Sequence, residues 1–324
     1  MMLAVAPVLF VLLWSSGFVA AKLAVPFAEP CTFLAMRFAI VVALLAPFAL
    51  ADRASWLSQP ARLLHSGIAG ASMQGVYLSC VVWSIYLGMP AGVVALVVSL
   101  HPITTAVLAH LVLGERITPL GWTGFCLGIV GAILVLWPKL DLGSSGIRAE
   151  TIALCLMALP AMSCGTVYQK RFAAGLGAAS ATCLQHVGAV AVAGLGAWFL
   201  ETRVVDWTPI LIGSLAWQTV AVSCGAVLLL MLMLGAHGAS RAASVFYLIP
   251  AGTALMTYIA LGESLNPIQL VGVAVVTTAV ILISSTGSQN RLPPAPRSNS
   301  PGVGHSPRSD CAIHGRDAPT GPMT

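Results

Sequence analysis

Leu113-Gly114-Glu115-Arg116-Ile117-Thr118-Pro119 and, 148 residues later, Leu261-Gly262-Glu263-Ser264-Leu265-Asn266-Pro267 decide how this chain is built. Around these two stretches, 91–134 and 239–282 align without a gap, and 14 of the 44 positions are identical. Pro102 pairs with Pro250, Thr105-Ala106 with Thr253-Ala254, and Gly124 with Gly272. The same shift carries Ser15, Gly17, Val19 and Lys22 onto Ser163, Gly165, Val167 and Lys170. One register across both halves is the mark of a duplication.

What is duplicated is set by composition. Of the 324 residues, 58% are hydrophobic and only 8% charged, and mean hydropathy is +0.93. A soluble chain carries about 25% charged residues, so this one lacks the charge to cover its own surface in water. No Asp, Glu, Lys or Arg occurs in 63–114, 117–138, 151–169, 172–200, 207–240, 242–262 or 264–290. A spanning helix needs about 20 apolar residues, so the first run holds two helices and the others about one each. Runs such as Ile129–Leu136 and Val273–Ile283 do not alternate, which excludes a membrane β-barrel. The expectation is an all-α, polytopic membrane protein with ten transmembrane helices. They fall near 3–21, 30–51, 64–87, 91–113, 118–137, 150–170, 179–200, 208–235, 240–262 and 267–286.

Residues 1–21 are read as the first of these rather than as a secretory leader, because no basic residue precedes the apolar run and the segment recurs later. The domains expected are 1–138 and 150–286 as five-helix repeats, joined by 139–149. The tail 287–324, rich in Pro, Ser, Gly and Arg, cannot bury a core and is expected to be disordered and cytoplasmic. An odd number of helices per repeat inserts the second copy upside down, the architecture of many secondary transporters. Loop cations favour both termini inside. Arg53, Arg62, Arg116, Lys170, Arg171, Arg241 and four tail arginines then face the cytoplasm, against Lys22, Lys139, Arg148 and Arg203 outside. The net charge of +5 is therefore a matter of membrane orientation and not of nucleic-acid binding.

Leu13-Trp14-Ser15-Ser16-Gly17-Phe18-Val19, Arg37-Phe38 and the doubled Leu-Gly-Glu-x-x-x-Pro stretch together resemble the EamA family of the drug/metabolite transporter superfamily. The resemblance covers about 1–286. It implies ten helices in two inverted EamA repeats and export or exchange of small metabolites across a bacterial inner membrane. The second copy has Gln185 where Arg37 stands and Met162 where Trp14 stands, so a role for that Arg or Trp belongs to one half.

Gly114 and Gly262 are expected to end helices in the left-handed conformation. Thr118 and Asn266 then cap the next helices, with Pro119 and Pro267 at their first positions. On this reading Glu115 and Glu263 belong to turns at opposite membrane faces, with a gating ion pair as the alternative. Pro102 and Pro250 fall inside helices at equivalent positions, and paired interruptions point to a central binding site. Arg37 lies seven residues past Pro30, about 10 Å deep at 1.5 Å per residue. At that depth the guanidinium can snorkel outward or face a wet cavity; in a cavity it pairs with a carboxylate or phosphate.

Polar and aromatic groups at membrane depth complete the candidate substrate-binding set: Trp14, Arg37, Gln74, Tyr77, His101, Gln185, Gln218 and Tyr247, with His186 beside Gln185. Singly, each fits an interhelical hydrogen bond; together they describe a modestly polar, partly aromatic cavity. For a proton-coupled cycle His101 is the first candidate, since imidazole titrates near neutral pH. No Asp or Glu lies inside a helix, no P-loop is present, and no His-Glu-x-x-His or Gly-x-Ser-x-Gly occurs. ATP hydrolysis and a membrane-embedded enzyme are disfavoured accordingly. None of the eight cysteines form a Cys-x-x-Cys pair, and Cys311-x-x-His314 near His305 lacks the second pair a zinc site needs. No metal or cofactor is expected. Gly88-x-x-x-Gly92 and Gly124-x-x-x-Gly128 allow close helix approach, within the chain by preference and in a homodimer as the alternative. The function expected is a secondary transporter moving a small metabolite, an amino acid or related carboxylate, outward by alternating access. Efflux of drugs or aromatic compounds is the second reading.

Overall fold

The computed structural model describes residues 2–51, 60–114, 119–136, 148–173, 175–226, 229, 249–263 and 266–287, and all structural statements concern these. In chain order the helices are α1 (Met2–Ala24), α2 (Pro30–Ala51), α3 (Pro60–Tyr86), α4 (Ala91–Leu113) and α5 (Pro119–Leu136). There follow α6 (Ala149–Phe172), α7 (Ala178–Leu200), α8 (Pro209–Ala226), α9 (Ile249–Leu261) and α10 (Pro267–Gly287). Among the described residues seven helices are long and apolar enough to cross a membrane, and α5, α9 and α10 contribute shorter apolar stretches. The one strand-like contact among them is an isolated antiparallel bridge between Ala28 and Val205. The fold is all-α and polytopic, as expected. Parts of the expected helices over 208–235 and 240–262, Glu115, Thr118, Tyr247 and the tail from 288 lie outside the described residues.

Helix ends follow local chemistry. Proline opens α2, α3, α5, α8 and α10, where its missing N–H is one the first turn leaves unbonded anyway. Thr208 caps α8 by accepting from the Leu211 amide at 3.2 Å. Asn266 Oδ1 accepts from the Ile268 amide at 3.2 Å, and Gln269 Oε1 accepts in return from the Asn266 amide at 3.1 Å, a reciprocal capping box. Gly114 and Gly262 take φ of 68° and 66°, the left-handed turn that only glycine adopts without cost. Glu263 then reaches across the molecule, where its two oxygens accept from the Ala91 and Gly92 amides at 3.0 Å each. Its carboxylate thus closes the N-terminus of α4, where the helix dipole favours a negative charge.

The 148-residue register persists in three dimensions. Added to Pro30, His101 and Pro119 it gives Ala178, Ile249 and Pro267, each the start of a helical segment. Helix α2 packs along α7, its own copy, and α5 along α10. Helix α1 packs on α9, while its copy α6 packs on the second half of α4. Both α3 and α8 contain a π-helical stretch, over Ala71–Val76 and Trp217–Ala226. The first maps onto 219–224, inside the second.

The interruption of α4 lies just ahead of Pro102, which has no N–H to give the Val98 carbonyl. Helix α4 is interrupted at Ser99–Leu100 and restarts at His101, so Pro102 sits in a first turn, where it is tolerated. Pro250 is likewise the second residue of α9. The Val98 carbonyl, which a residue with an N–H at 102 would have bonded, faces His101 Nδ1 at 3.1 Å. Ser163 Oγ donates to the His101 carbonyl at 3.4 Å, and at the equivalent place Ser15 Oγ donates to the Ile249 carbonyl at 3.4 Å. The two serines retained in both copies therefore brace the two proline starts.

Glycines set the closest helix approach. A Cβ at Gly188 collides with the Gly67 carbonyl, and one at Gly70 with the Gln185 backbone, so α3 and α7 touch main chain to main chain. Gly128 faces Ile103, and Gly131 faces Val276 within the same chain. Gly92 leaves space beside Thr257 Oγ1 and Glu263 Oε2, while Gly88 supplies a turn at φ 101°.

Two outcomes follow from these contacts. Glu263→Ala leaves two amides of α4 unbonded and is expected to destabilise the protein by about 1–2 kcal/mol, read as a lower Tm in detergent. Gly188→Ala is expected to cost about 1–3 kcal/mol by overpacking. Gly194→Ala, whose added Cβ meets nothing within 4 Å, leaves Tm unchanged in the same assay.

Candidate substrate cavity

The described helices enclose a cavity of about 530 Å³, within the size of pockets that hold small molecules. Helix α1 contributes Trp14, Gly17, Phe18 and Ala21, and α2 contributes Arg37. Helix α3 contributes Met73, Gln74, Tyr77, Leu78, Val81 and Val82. Met162 and Gln169 come from α6, Ala178, Ala181, Thr182, Gln185 and His186 from α7, and Gln218, Val222 and Ser223 from α8. Both π-helical stretches thus face the cavity. An i→i+5 ladder re-aims side chains relative to a regular helix and recurs at functional sites.

Arg37 is 7% exposed and is the one cation in this lining, which contains no carboxylate. Its Nη1 donates to Gln218 Oε1. Its Nη2 and Nε donate to Ser223 Oγ at 3.0 and 3.3 Å. The guanidinium carbon lies 5.8 Å from the Phe38 ring centre. His186 Nδ1 lies 2.8 Å from the Thr182 carbonyl, and its ring meets Phe38 edge to face. The surface offered to a solute is one positive charge, several neutral amides and hydroxyls, and the aromatic faces of Trp14, Phe18 and Tyr77.

Of the expected set, Trp14, Arg37, Gln74, Tyr77, Gln185 and Gln218 converge on this cavity. His101 is not in its lining and uses Nδ1 at the break in α4. Tyr247 and Glu115 lie outside the described residues, and Glu263 caps α4. The lining adds Ser223, Gln169, Thr182 and Met73, which sequence reasoning passed over. Ser223 is five residues from Gln218, a spacing that about 100° per residue on a regular helix puts far apart and that an i→i+5 ladder brings together. Among the described residues no group of three His, Cys, Asp or Glu is arranged to hold a metal.

The two ends of the cavity differ. Toward the α6–α7 turn the lining continues to Leu176 and Ala178. Toward the α1–α2 and α7–α8 turns it meets a dense core that includes Phe33, Leu34, Ile85, Val94 and Leu211. There Glu201 is 7% exposed and caps α2, accepting from the Cys31 amide at 2.6 Å and from the Thr32 amide and hydroxyl at 2.7 Å. Glu29 answers from the other side, accepting from the Arg203 amide at 2.7 Å and the Thr202 hydroxyl at 3.1 Å. Burial pushes the Glu29 carboxyl up, but the bonds from Thr202, Arg203 and Val204 outweigh it and hold it below the usual carboxylate range. The Asp206 amide donates to the Phe27 carbonyl at 2.8 Å, so these two turns are stitched together.

Comparison with known proteins agrees with this architecture. The pattern of the EamA-like transporter family matches residues 1–137 and again 150–285. The chain is 25% identical over 306 residues to the probable amino-acid metabolite efflux pump of Salmonella typhimurium (strain LT2), covering 87% of this chain and 94% of that protein. It is 27% identical over 199 residues to the uncharacterized transporter YvbV of Bacillus subtilis (strain 168), covering 61% of this chain. That match spans 64% of the Bacillus protein, just under two thirds of its length. A solved crystal structure superposes with a TM-score of 0.61 at 17% identity, covering 89% of this chain and 99% of the other, which is a likeness of fold. With the family pattern found in each half of a chain built from apolar, membrane-length helices, this protein belongs to the EamA-like transporter family.

Proposed function

We propose that this transporter exports a small carboxylate-bearing metabolite, an amino acid or a close relative, by alternating access between two inverted five-helix repeats. The observation that carries this is Arg37, the one cation among the described lining residues, which include no carboxylate. A solute anion completes that charge, whereas a cationic solute has no counter-ion there. An arginine fork suits a planar carboxylate in a bidentate pair. The name of the Salmonella relative, an amino-acid metabolite efflux pump, agrees with this class. By the distribution of loop cations, the α6–α7 turn with Lys170 and Arg171 faces the cytoplasm of a bacterial inner membrane. The cavity is then in its inward-facing form, sealed on the outer side by the Glu29 and Glu201 contacts.

The aromatic walls support a second reading, efflux of apolar or aromatic compounds by stacking on Trp14, Phe18 and Tyr77. A thermal-shift panel on the purified protein separates the two. A ligand bound only to the folded state, at about 100 times its dissociation constant, adds roughly 2.7 kcal/mol of stability. The expected result is a raised Tm with amino acids or related carboxylates that disappears in Arg37→Ala. Stabilisation by neutral or cationic aromatics alone, kept in Arg37→Ala, overturns the carboxylate reading.

A further inference from the structure

Arginine has no acceptor, so the Gln218 amide must turn its oxygen to the guanidinium. That fixes Gln218 Nε2 on the far side, where it is buried without a hydrogen-bond partner among the described residues. The hydroxyl of Thr219, the next residue of the π-helical stretch, is also buried and has no hydrogen-bond partner among the described residues. Buried donors left open in a native fold call for a physical reason. Here they adjoin the contact that ties α2 to α8.

The equivalent contact in the other repeat is built differently. The counterparts of Arg37, Gln218 and Ser223 are Gln185, Gly70 and Gly75. A Cβ at Gly70 collides with the Gln185 backbone, and one at Gly75 lies 2.8 Å from Val192 Cβ. Helices α3 and α7 are therefore held by steric contact, which no solute can compete for. Helices α2 and α8 are bridged by polar side chains, which a solute can outbid. On that side the π-helical stretch is also the longer, ten residues against six.

We propose that the Arg37 bridge to Gln218 and Ser223 is a latch on α8 that a carboxylate releases. The proposal rests on the carboxylate reading above and assigns Gln218 and Ser223 as positioning residues for Arg37. A carboxylate taken bidentately forms charge-assisted bonds on both partners, roughly twice as strong as neutral ones, and replaces the amide and hydroxyl oxygens around the guanidinium. Gln218 is then free to turn its open Nε2 toward the same anion. The π-helical stretch of α8 loses its tie to α2, while the α3–α7 contact stays closed. Binding is thereby linked to movement of one helix of one repeat.

Hydrogen exchange on the full chain in lipid nanodiscs tests this, comparing the amides of 217–226 with those of 71–76. In Arg37→Met and in Gln218→Ala, exchange over 217–226 is expected to rise about tenfold, the scale of one lost charge-assisted bond, with 71–76 unchanged. Arg37→Lys, which keeps the charge but not the fork that reaches both Gln218 and Ser223, is expected to fall between the wild type and Arg37→Met. Sodium benzoate or L-phenylalanine, added to the wild type as carboxylate probes, reproduces the acceleration over 217–226. Equal acceleration in both stretches, or none, in Arg37→Met overturns the latch as a generic loosening or an idle contact. Slowed exchange over 217–226 with either probe, or no response to both, overturns release by a carboxylate. The variant comparison contains no solute, so it can fail while carboxylate transport stands.

Discussion

Inside a bilayer, each main-chain N–H and C=O must find its partner within the protein, because no water is present to supply one. Most of the polar chemistry described in this chain answers that demand. Five helices begin at proline, which brings one donor fewer to satisfy. Glu201 closes the start of α2 and Glu263 the start of α4. The His101 ring and the Ser163 hydroxyl take up carbonyls around the break in α4. The acids that hold the helices together are thereby engaged at helix ends. The cation at the centre is left without one. Burying an uncompensated charge costs several kcal/mol, and among the described residues the hydrogen bonds of Arg37 go to neutral acceptors on α8. A site with that imbalance is suited to a solute that brings the missing charge.

Duplication explains where the asymmetry sits. The helix starts, the braced prolines and the left-handed glycines obey the 148-residue register. Many of the lining positions break it. Trp14 faces Met162 as its counterpart, Ala21 faces Gln169, Arg37 faces Gln185, Gln74 faces Val222, and His186 stands where the first copy has Phe38. The braced prolines, their serines and the left-handed glycines do the same mechanical work in both copies and keep the same residues. The cavity is lined by residues of both copies, and only unlike residues give it a charged side and an aromatic side. The differences between the halves therefore carry the chemistry, and the likenesses carry the frame.

This division also decides what the sequence makes legible. Spans are read from runs without charge, and turns from Gly-Glu-x-x-x-Pro, because both are local consequences of the bilayer and of backbone conformation. Six of the eight candidate binding residues reach the cavity because a polar or aromatic side chain at membrane depth has few other places to go. His101 misleads for the same reason: it has depth, but a carbonyl beside Pro102 claims its ring. At Pro102 the interruption itself is legible, because a residue without an N–H leaves the Val98 carbonyl unbonded one turn ahead, at the break over Ser99–Leu100. Ser223 escapes notice since an i, i+5 pair shares a face only if the ladder is π-helical, which no local preference announces. Glu201 and Glu263 look like loop charges until tertiary packing puts helix starts in front of them.

On the latch proposed for Arg37, the contrast between the two central helix pairs gives the fold its direction of motion. Main-chain contact at Gly67, Gly70 and Gly188 holds α3 on α7 through dispersion and shape, forces that do not depend on what occupies the cavity. Between α2 and α8 the Arg37 bridge stands in the same place, and its strength depends on what else the guanidinium can reach. In a symmetric pair both contacts would respond alike and a solute would bias neither. With one contact insensitive and the other competitive, occupancy changes the balance between the repeats, the differential interaction that any ligand-driven change of state requires.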